Sequence, residues 1–245
     1  MAFREDPDLL FFSELQSEEL DSIVKILMYD KDNKKRHTES LSNDFKFKQF
    51  YPEHSKYWDL IAEEIQKFGA NTFASLFRRG KGVPYKEILC DVCDKLKVNY
   101  NKKASTEIIE ENLLQKILTN SIEKMSEEER KSLAESLNLN TSRYTAESVV
   151  IALQLALRNS VFLWGDIAVI VFESVIAQVL TRTGIIFTTN IVGARALSIL
   201  AGPIGLVLTG AWTAIDIAGP AYRVTTPVTI MIACLRKKHS MQKND

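Results

Sequence analysis

The chain has 245 residues, of which 46% are hydrophobic and 25% are charged, as in a globular protein with a buried core. Its 31 basic residues equal its 31 acidic residues, so the overall charge does not favour nucleic acid as a partner. The distribution is uneven, because residues 1–148 hold 27 acids and 23 bases whereas residues 149–245 hold 4 acids and 8 bases. This split predicts a charged N-terminal part and an apolar C-terminal part.

The N-terminal half is predicted to be a series of amphipathic helices, because its apolar residues recur at steps of three to five. The predicted helices begin at Asp6–Pro7, at Ser17, in the stretch that opens with Tyr51, Pro52 and Glu53, at Pro84, at residue 105 and at the capping box of Ser126 and Glu129. The helix in the stretch from Tyr51 is predicted to reach about Phe77, and the polar residues from Asn138 to Ser142 predict a domain boundary.

After Thr145 the apolar residues become nearly continuous. Helices are predicted over residues 149–157, 161–180, 184–200 and 204–218, and from there to Leu235. The tripeptide Ala-Gly-Pro at residues 201–203 and again at 218–220 predicts tight turns between antiparallel helices. Val224–Ile232 is the one run for which a strand competes.

These elements predict an all-α protein built as a multi-helix bundle. The expected parts are a small N-terminal helical module, an amphipathic helical domain, an apolar helical module and a tail. They cover residues 1–48, 49–140, 141–238 and 239–245.

Residues 196–215 contain no charge, and 20 residues of helix are long enough to cross a bilayer. Glycine and proline within this segment disfavour a straight helix. The residues concerned are Gly202, Pro203, Gly205 and Gly210. We therefore expect either a re-entrant membrane hairpin or two soluble core helices. Ala201, Gly205 and Thr209, at four-residue spacing, predict close approach of a neighbouring helix.

Seven charged residues lie between residues 149 and 235, and five of them form the concentrated set in apolar surroundings: Asp166, Glu173, Arg195, Asp216 and Arg223. Each would cost about 2.5–3.5 kcal/mol at the centre of a bilayer, and much less if paired inside a bundle. Asp166 and Glu173, one heptad apart, share one helix face. The five are thus a candidate buried charge cluster and weigh against a protein that crosses the membrane several times.

Arg78, Arg79 and Lys81 precede a predicted helix start and form a candidate anion site for a phosphate or lipid headgroup. The competing interpretation is a basic helix end followed by a turn. A Walker phosphate loop is absent, because Val83 follows Gly82 and no glycine stands five residues before Gly80.

Other motifs give no support for catalysis or metal binding. Cys90-x-x-Cys93 is a single pair, too few ligands for structural zinc, and is expected to be two reduced, partly buried thiols. The pairs Glu63–Glu64 and Glu110–Glu111 are predicted on exposed helix faces. Hydrolase, zinc-protease and dinucleotide motifs are missing, so we expect no catalytic residue, metal or cofactor.

The acidic N-terminus lacks an apolar segment, so we expect no signal peptide. Such a chain is expected in the cytoplasm, with its three cysteines reduced, or at the inner face of the cytoplasmic membrane.

Several segments resemble the bacterial YaaW-like family, which has no assigned activity. They are Pro52–Ala62, Phe68–Asn71, Tyr85–Asn101, Ala201–Gly205 and Trp212–Thr225. The residues from Asp6 to Lys31 resemble a small N-terminal module found with that family. The middle region is also grouped with ubiquinol–cytochrome c chaperones. The resemblance implies a helical, non-enzymatic protein that binds a partner.

Three functions compete on this evidence. The first is a non-enzymatic adaptor or assembly factor that binds a protein client, or itself, and touches membrane lipid with its C-terminal module. The second is a membrane-perturbing effector with a sheltered apolar hairpin around Gly202–Gly210. The third is an enzyme with an unfamiliar site at the charge cluster.

Overall fold

The structure, a computed structural model, describes residues 5–30, 32–72, 82–180, 198–219 and 221–243. Within these ranges the chain forms ten α-helices and no strand, which confirms the all-α prediction. The helices are α1 Ser17–Met28, α2 Phe45–Phe50, α3 Trp58–Thr72, α4 Tyr85–Lys95, α5 Thr106–Lys124, α6 Glu127–Ser136, α7 Ala146–Asn159, α8 Val161–Leu180, α9 Ser198–Ala218 and α10 Tyr222–Gln242.

Most helix starts follow the local chemistry of the sequence. The hydroxyls of Ser105, Ser126 and Thr145 each accept a backbone N–H from the first turn that follows, at α5, α6 and α7. The start at Asp6–Pro7 is wrong: a turn precedes a short 3-10 helix, Leu10–Glu14. The Asp6 carboxylate there accepts N–H groups from Asp8 and from Tyr85, the first residue of α4, rather than capping a helix that begins at Pro7.

The central helix is α10. Every residue from Val224 to Leu235 is buried, and α10 packs against α1, α3, α4, α5, α8 and α9. The strand considered for Val224–Ile232 is therefore wrong, and the helix continues beyond Leu235 to Gln242. A helix with twelve consecutive buried residues needs other elements around it, and here six helices pack against it.

The predicted break at residues 201–203 is also wrong, because α9 continues through Pro203. Proline in a helix costs about 3 kcal/mol or more, while burying one large aliphatic side chain contributes about 1.5–3 kcal/mol. Leu200, Ile204 and Leu208 are all buried, so packing outweighs the cost of the proline. The hairpin proposed for Gly202–Gly210 is thus one continuous stretch of helix.

The break predicted at residues 218–220 is confirmed on its described side. Helix α9 ends at Ala218, and Gly219 has a φ of +121°, a conformation that favours glycine.

The Thr209 hydroxyl donates to Gln178 Oε1 on α8, and a Cβ on Gly205 would lie 3.3 Å from Gln178 Nε2. The small residues of α9 therefore do permit close approach of a neighbouring helix, as predicted.

Several predictions fall outside the described residues: the helix over 184–200 up to residue 197, and the end of the helix predicted to reach Phe77. One described helix, over Phe162–Val179, is long and apolar enough to cross a membrane, and half of it is buried within the protein. A core helix passes the same test. The buried side chains form one cluster that includes residues from the N-terminal, middle and C-terminal modules. The boundaries of those modules stay a prediction.

Helices α3 and α4 approach closely at Gly69. An added Cβ would lie 2.4 Å from Ile88 Cδ1, whereas no described atom lies within 4 Å of the corresponding position at Gly202 in α9. We expect Gly69→Ala to lower the free energy of unfolding by about 1–3 kcal/mol through overpacking. Gly202→Ala, the matched control, should raise it by up to about 1 kcal/mol through helix propensity. Urea denaturation measures both; equal effects of the two variants would contradict the close approach.

Candidate functional site

A buried polar cluster joins α4, α5 and α10. The Tyr85 hydroxyl donates to Glu110 Oε1 at 2.8 Å, and Arg236 Nε donates to Glu110 Oε2 at 2.7 Å. Tyr85 and Glu110 are both buried. Both carboxylate oxygens of Glu110 thus have a donor, which a buried charge requires.

The N-terminal segment completes this cluster. The backbone carbonyl of Asp8 accepts a hydrogen bond from Arg236 at 2.5 Å, and the Arg236 guanidinium lies 4.3 Å from the ring centroid of Phe11. Asp6, which is 3% exposed, accepts the Tyr85 backbone N–H at 2.6 Å, at the first residue of α4. Residues near the N-terminus therefore bind both the start of α4 and the last turns of α10.

The basic end of α10 is neutralised by acids of the N-terminal half. Besides Arg236, three lysines and one histidine of this end pair with acids of α5, α1 and the segment before α1. The pairs are Lys237–Glu111, Lys238–Glu19 at 2.8 Å, His239–Glu14 at 3.1 Å and Lys243–Glu14 at 2.7 Å. The uneven charge seen in the sequence thus has an internal structural role, although pairs this exposed each contribute little stability.

Burial raises the pKa of Glu110, and the neighbouring Arg236 guanidinium and the hydrogen bond from Tyr85 oppose that rise. Burial alone would lower the pKa of Arg236, but the Glu110 carboxylate raises it. The Arg236 side chain is 14% exposed and that of Glu110 is 1% exposed, so the pair is closed to substrates. We interpret it as a structural ion pair rather than a reactive site.

The prediction that Glu63–Glu64 and Glu110–Glu111 lie on exposed helix faces is wrong, because Glu63, Glu64 and Glu110 are buried and Glu111 is half-buried. Glu64 is 1% exposed and accepts both the backbone N–H and the hydroxyl of Ser40. For Glu64 and for Glu110 the donors come from elements distant in the chain. The helical spacing of α3 and α5 could not indicate them.

The predicted charge cluster is only partly within the described residues. Asp166 is exposed and Glu173 is half-buried on α8, while Arg223 is exposed near the start of α10. Arg195 and the side chain of Asp216 lie outside the part that the structure describes. Burial raises the pKa of Glu173. The joint pairing of the five residues stays a prediction.

The candidate anion site of Arg78, Arg79 and Lys81 also lies outside the described residues. The four residues of the candidate membrane hairpin lie on α9, where Pro203 is buried, Gly205 is half-buried, and Gly202 and Gly210 are exposed.

The C-x-x-C pair lies within α4. Cys93 is buried and burial raises the pKa of its thiol to about 12, which disfavours the reactive thiolate, and Cys90 is half-buried. Among the described residues, no three histidine, cysteine or acidic side chains come together in a group that could hold a metal ion.

The second feature is a set of four exposed apolar side chains on the C-terminal helices. They are Ile151 and Leu155 on α7, Phe162 on α8 and Leu206 on α9, which are 52%, 53%, 58% and 65% exposed. Ile151 and Leu155 are four residues apart and therefore share one face of α7. We call these four residues the apolar surface. Periodicity alone did not predict it, because nearly every position in this part of the chain is apolar.

The fold and these two features define an all-α protein whose basic helix end is bound by its own acidic residues and whose C-terminal helices expose apolar side chains. The family described as ubiquinol-cytochrome C chaperone matches residues 53–230, and a domain of unknown function (DUF3944) matches residues 3–37. No solved structure matches the chain.

Curated relatives extend over nearly the whole chain. A UPF0174 protein of Helicobacter pylori strain J99 is 46% identical over 100% of this chain and 96% of its own length. One from Helicobacter pylori strain 26695 is 43% identical over 82% of this chain and 97% of its own length. The UPF0174 protein YaaW of Escherichia coli K12 is 31% identical over 95% of this chain and 94% of its own length. The chain belongs to the UPF0174 family, which confirms the predicted YaaW-like resemblance.

Removing Glu110 should be strongly destabilising. Glu110→Ala leaves the Arg236 guanidinium and the Tyr85 hydroxyl buried with fewer acceptors, so we expect the free energy of unfolding to fall by about 3–5 kcal/mol. Glu135→Ala, which removes an exposed pair with Lys131, is the control and should cost about 0–1 kcal/mol. The double variant E110A/R236A should lose less than the sum of its single variants in denaturant titrations. An additive result would show that the pair is not coupled.

Glu173 should make stability depend on pH. The pKa of Glu173 is raised above its ordinary value of 4.5 in the folded protein. Its contribution to the free energy of unfolding is therefore fully present below pH 4.5. The contribution is lost as the pH rises through the folded pKa. Glu173→Gln should therefore gain stability relative to wild type between about pH 4 and about pH 7. Urea denaturation at both pH values tests this, with exposed Glu147→Gln as the control; an equal pH response in all three proteins would refute it.

Proposed function

We propose that this protein is a non-enzymatic, chaperone-like interaction protein that binds a protein client and contacts membrane lipid through its C-terminal helices. The observation that carries the membrane part is the apolar surface. Residues 149–245 hold few charges, so few charged residues lie near the four exposed apolar side chains along the chain. Exposed apolar side chains of this kind are used to contact lipid or protein.

The pairing of the basic end of α10 favours a membrane contact that is apolar rather than electrostatic. Arg236, Lys237 and Lys238 are the densest basic run of the C-terminal part, and each of them pairs with an acid of the same chain. Cations that are already paired contribute little to the attraction of anionic lipids. We therefore expect apolar insertion to dominate binding, with a weak dependence on salt.

Support for a protein client comes from the family match. The family described as ubiquinol-cytochrome C chaperone covers residues 53–230, which include α3 to α9 and part of α10. A chaperone needs an accessible surface rather than a reactive site. The closed Glu110–Arg236 pair and the buried Cys93 agree with a binding role.

Vesicle binding tests the proposal. The full-length protein should sediment with phospholipid vesicles, and the double variant I151Q/L155Q should bind at least about tenfold more weakly, because burying each large aliphatic side chain contributes about 1.5–3 kcal/mol. Ile108→Gln is the control, since Ile108 is 50% exposed on α5 in the charged half. It should leave vesicle binding unchanged.

Absence of vesicle binding by the wild-type protein, or an equal loss in the Ile108 control, would refute membrane contact through the apolar surface. The client part is tested separately, by crosslinking the tagged full-length protein in its host cells. A single protein recovered with wild type and in equal amount with I151Q/L155Q would support a client site apart from the lipid surface. Recovery of no protein would contradict client binding.

A further inference from the structure

A cavity of about 440 Å³ lies where α9 crosses α5, between the end of α4 and the middle of α10. Its volume is within the range of about 300–1,000 Å³ that is usual for small-molecule sites. Its floor is apolar and includes Leu113, Ile117 and Ile230, which come from two different helices. Leu206, the most exposed member of the apolar surface, lies at its α9 side.

The rim of this cavity is basic. Four lysines line it, Lys95 and Lys97 at the end of α4 and Lys116 and Lys124 on α5, against one acid, Glu123. Across the part of the chain that the structure describes, none of these lysines is in an ion pair, and Lys95 lies over the ring of Tyr222. This rim differs from the basic end of α10, where each cation has an acidic partner.

An apolar floor with a cationic rim matches one class of ligand, an amphiphile with a hydrocarbon chain and an anionic head. A protein partner fits less well, because a stable interface buries about 800 Å² on each side, more than a single cavity supplies. We propose that this cavity binds a long-chain fatty acid, with its chain on the floor and its carboxylate among the lysines of the rim. The inference is separable from the proposed membrane contact, because the ligand is a monomeric fatty acid in solution and Leu206 is the one residue of the apolar surface that lines the cavity.

Calorimetric titration of the full-length protein with oleate, kept below its aggregation concentration, tests the proposal. Oleate should bind with a stoichiometry of one, whereas methyl oleate, which lacks the charge, and butyrate, which lacks the chain, should bind much more weakly. The double variant K116E/K124E should lose about tenfold in affinity for oleate, since each charge at the rim contributes up to about fivefold.

The control is K103E/K131E, which makes the same change in net charge at two exposed lysines outside the cavity. It should bind oleate as wild type does. Leu206→Gln tests the apolar part of the site at a position exposed enough to leave the fold intact, and should also weaken oleate binding. Circular dichroism of each variant verifies folding.

Three results would overturn the proposal: no binding of oleate by wild type, equal binding of methyl oleate, or an equal loss in K103E/K131E. The outcome is separate from vesicle binding. I151Q/L155Q, designed against membrane contact, alters no residue of the cavity and should bind oleate normally.

Discussion

The structure depends on one constraint, the burial of α10 on all sides. A helix with twelve consecutive buried residues, Val224 to Leu235, must be surrounded, and the neighbouring helices come from both halves of the chain. Helices α8 and α9 cover it with apolar residues, while α4 and α5 bring Tyr85 and Glu110 to its polar end. The fatty-acid cavity lies among helices that pack around α10, whereas Ile151 and Leu155 of the apolar surface lie on α7, which packs against α5, α6 and α8.

The charge split of the sequence has a physical explanation in this packing. The acids that neutralise the end of α10 lie on α1, on α5 and before α1, so the acidic excess of the N-terminal half and the basic end of the C-terminal half bind each other. The N-terminal segment thereby becomes part of the core rather than a separate arm. The lysines at the cavity rim have no acidic partner among the described residues, and they are consequently better placed than the cations of α10 to bind an anionic ligand.

Sequence reasoning predicted the elements well where local chemistry decides them. Capping residues such as Ser105 and Ser126 marked helix starts, and Gly219 marked a helix end. It failed where tertiary burial overrides local preference: Pro203 does not interrupt α9, and Val224–Ile232 is helical. The partners of Glu110 and Glu64 could not be predicted, because Arg236 is 126 positions from Glu110 and Ser40 is 24 positions from Glu64. No periodic pattern encodes pairings at such separations.

The position of α10 in the chain has a consequence for synthesis. The helices that surround α10 are all translated before it. During elongation, the apolar faces that will later pack against α10 therefore have no partner. Arg236 contacts the backbone of Asp8 across 228 positions. Contacts at such a separation form slowly, because a long loop must close, so those faces stay exposed until late in folding. We therefore expect that ribosome-bound chains arrested before Tyr222 depend on holding factors and are protease-sensitive, and that compaction accompanies emergence of the final helix from the exit tunnel.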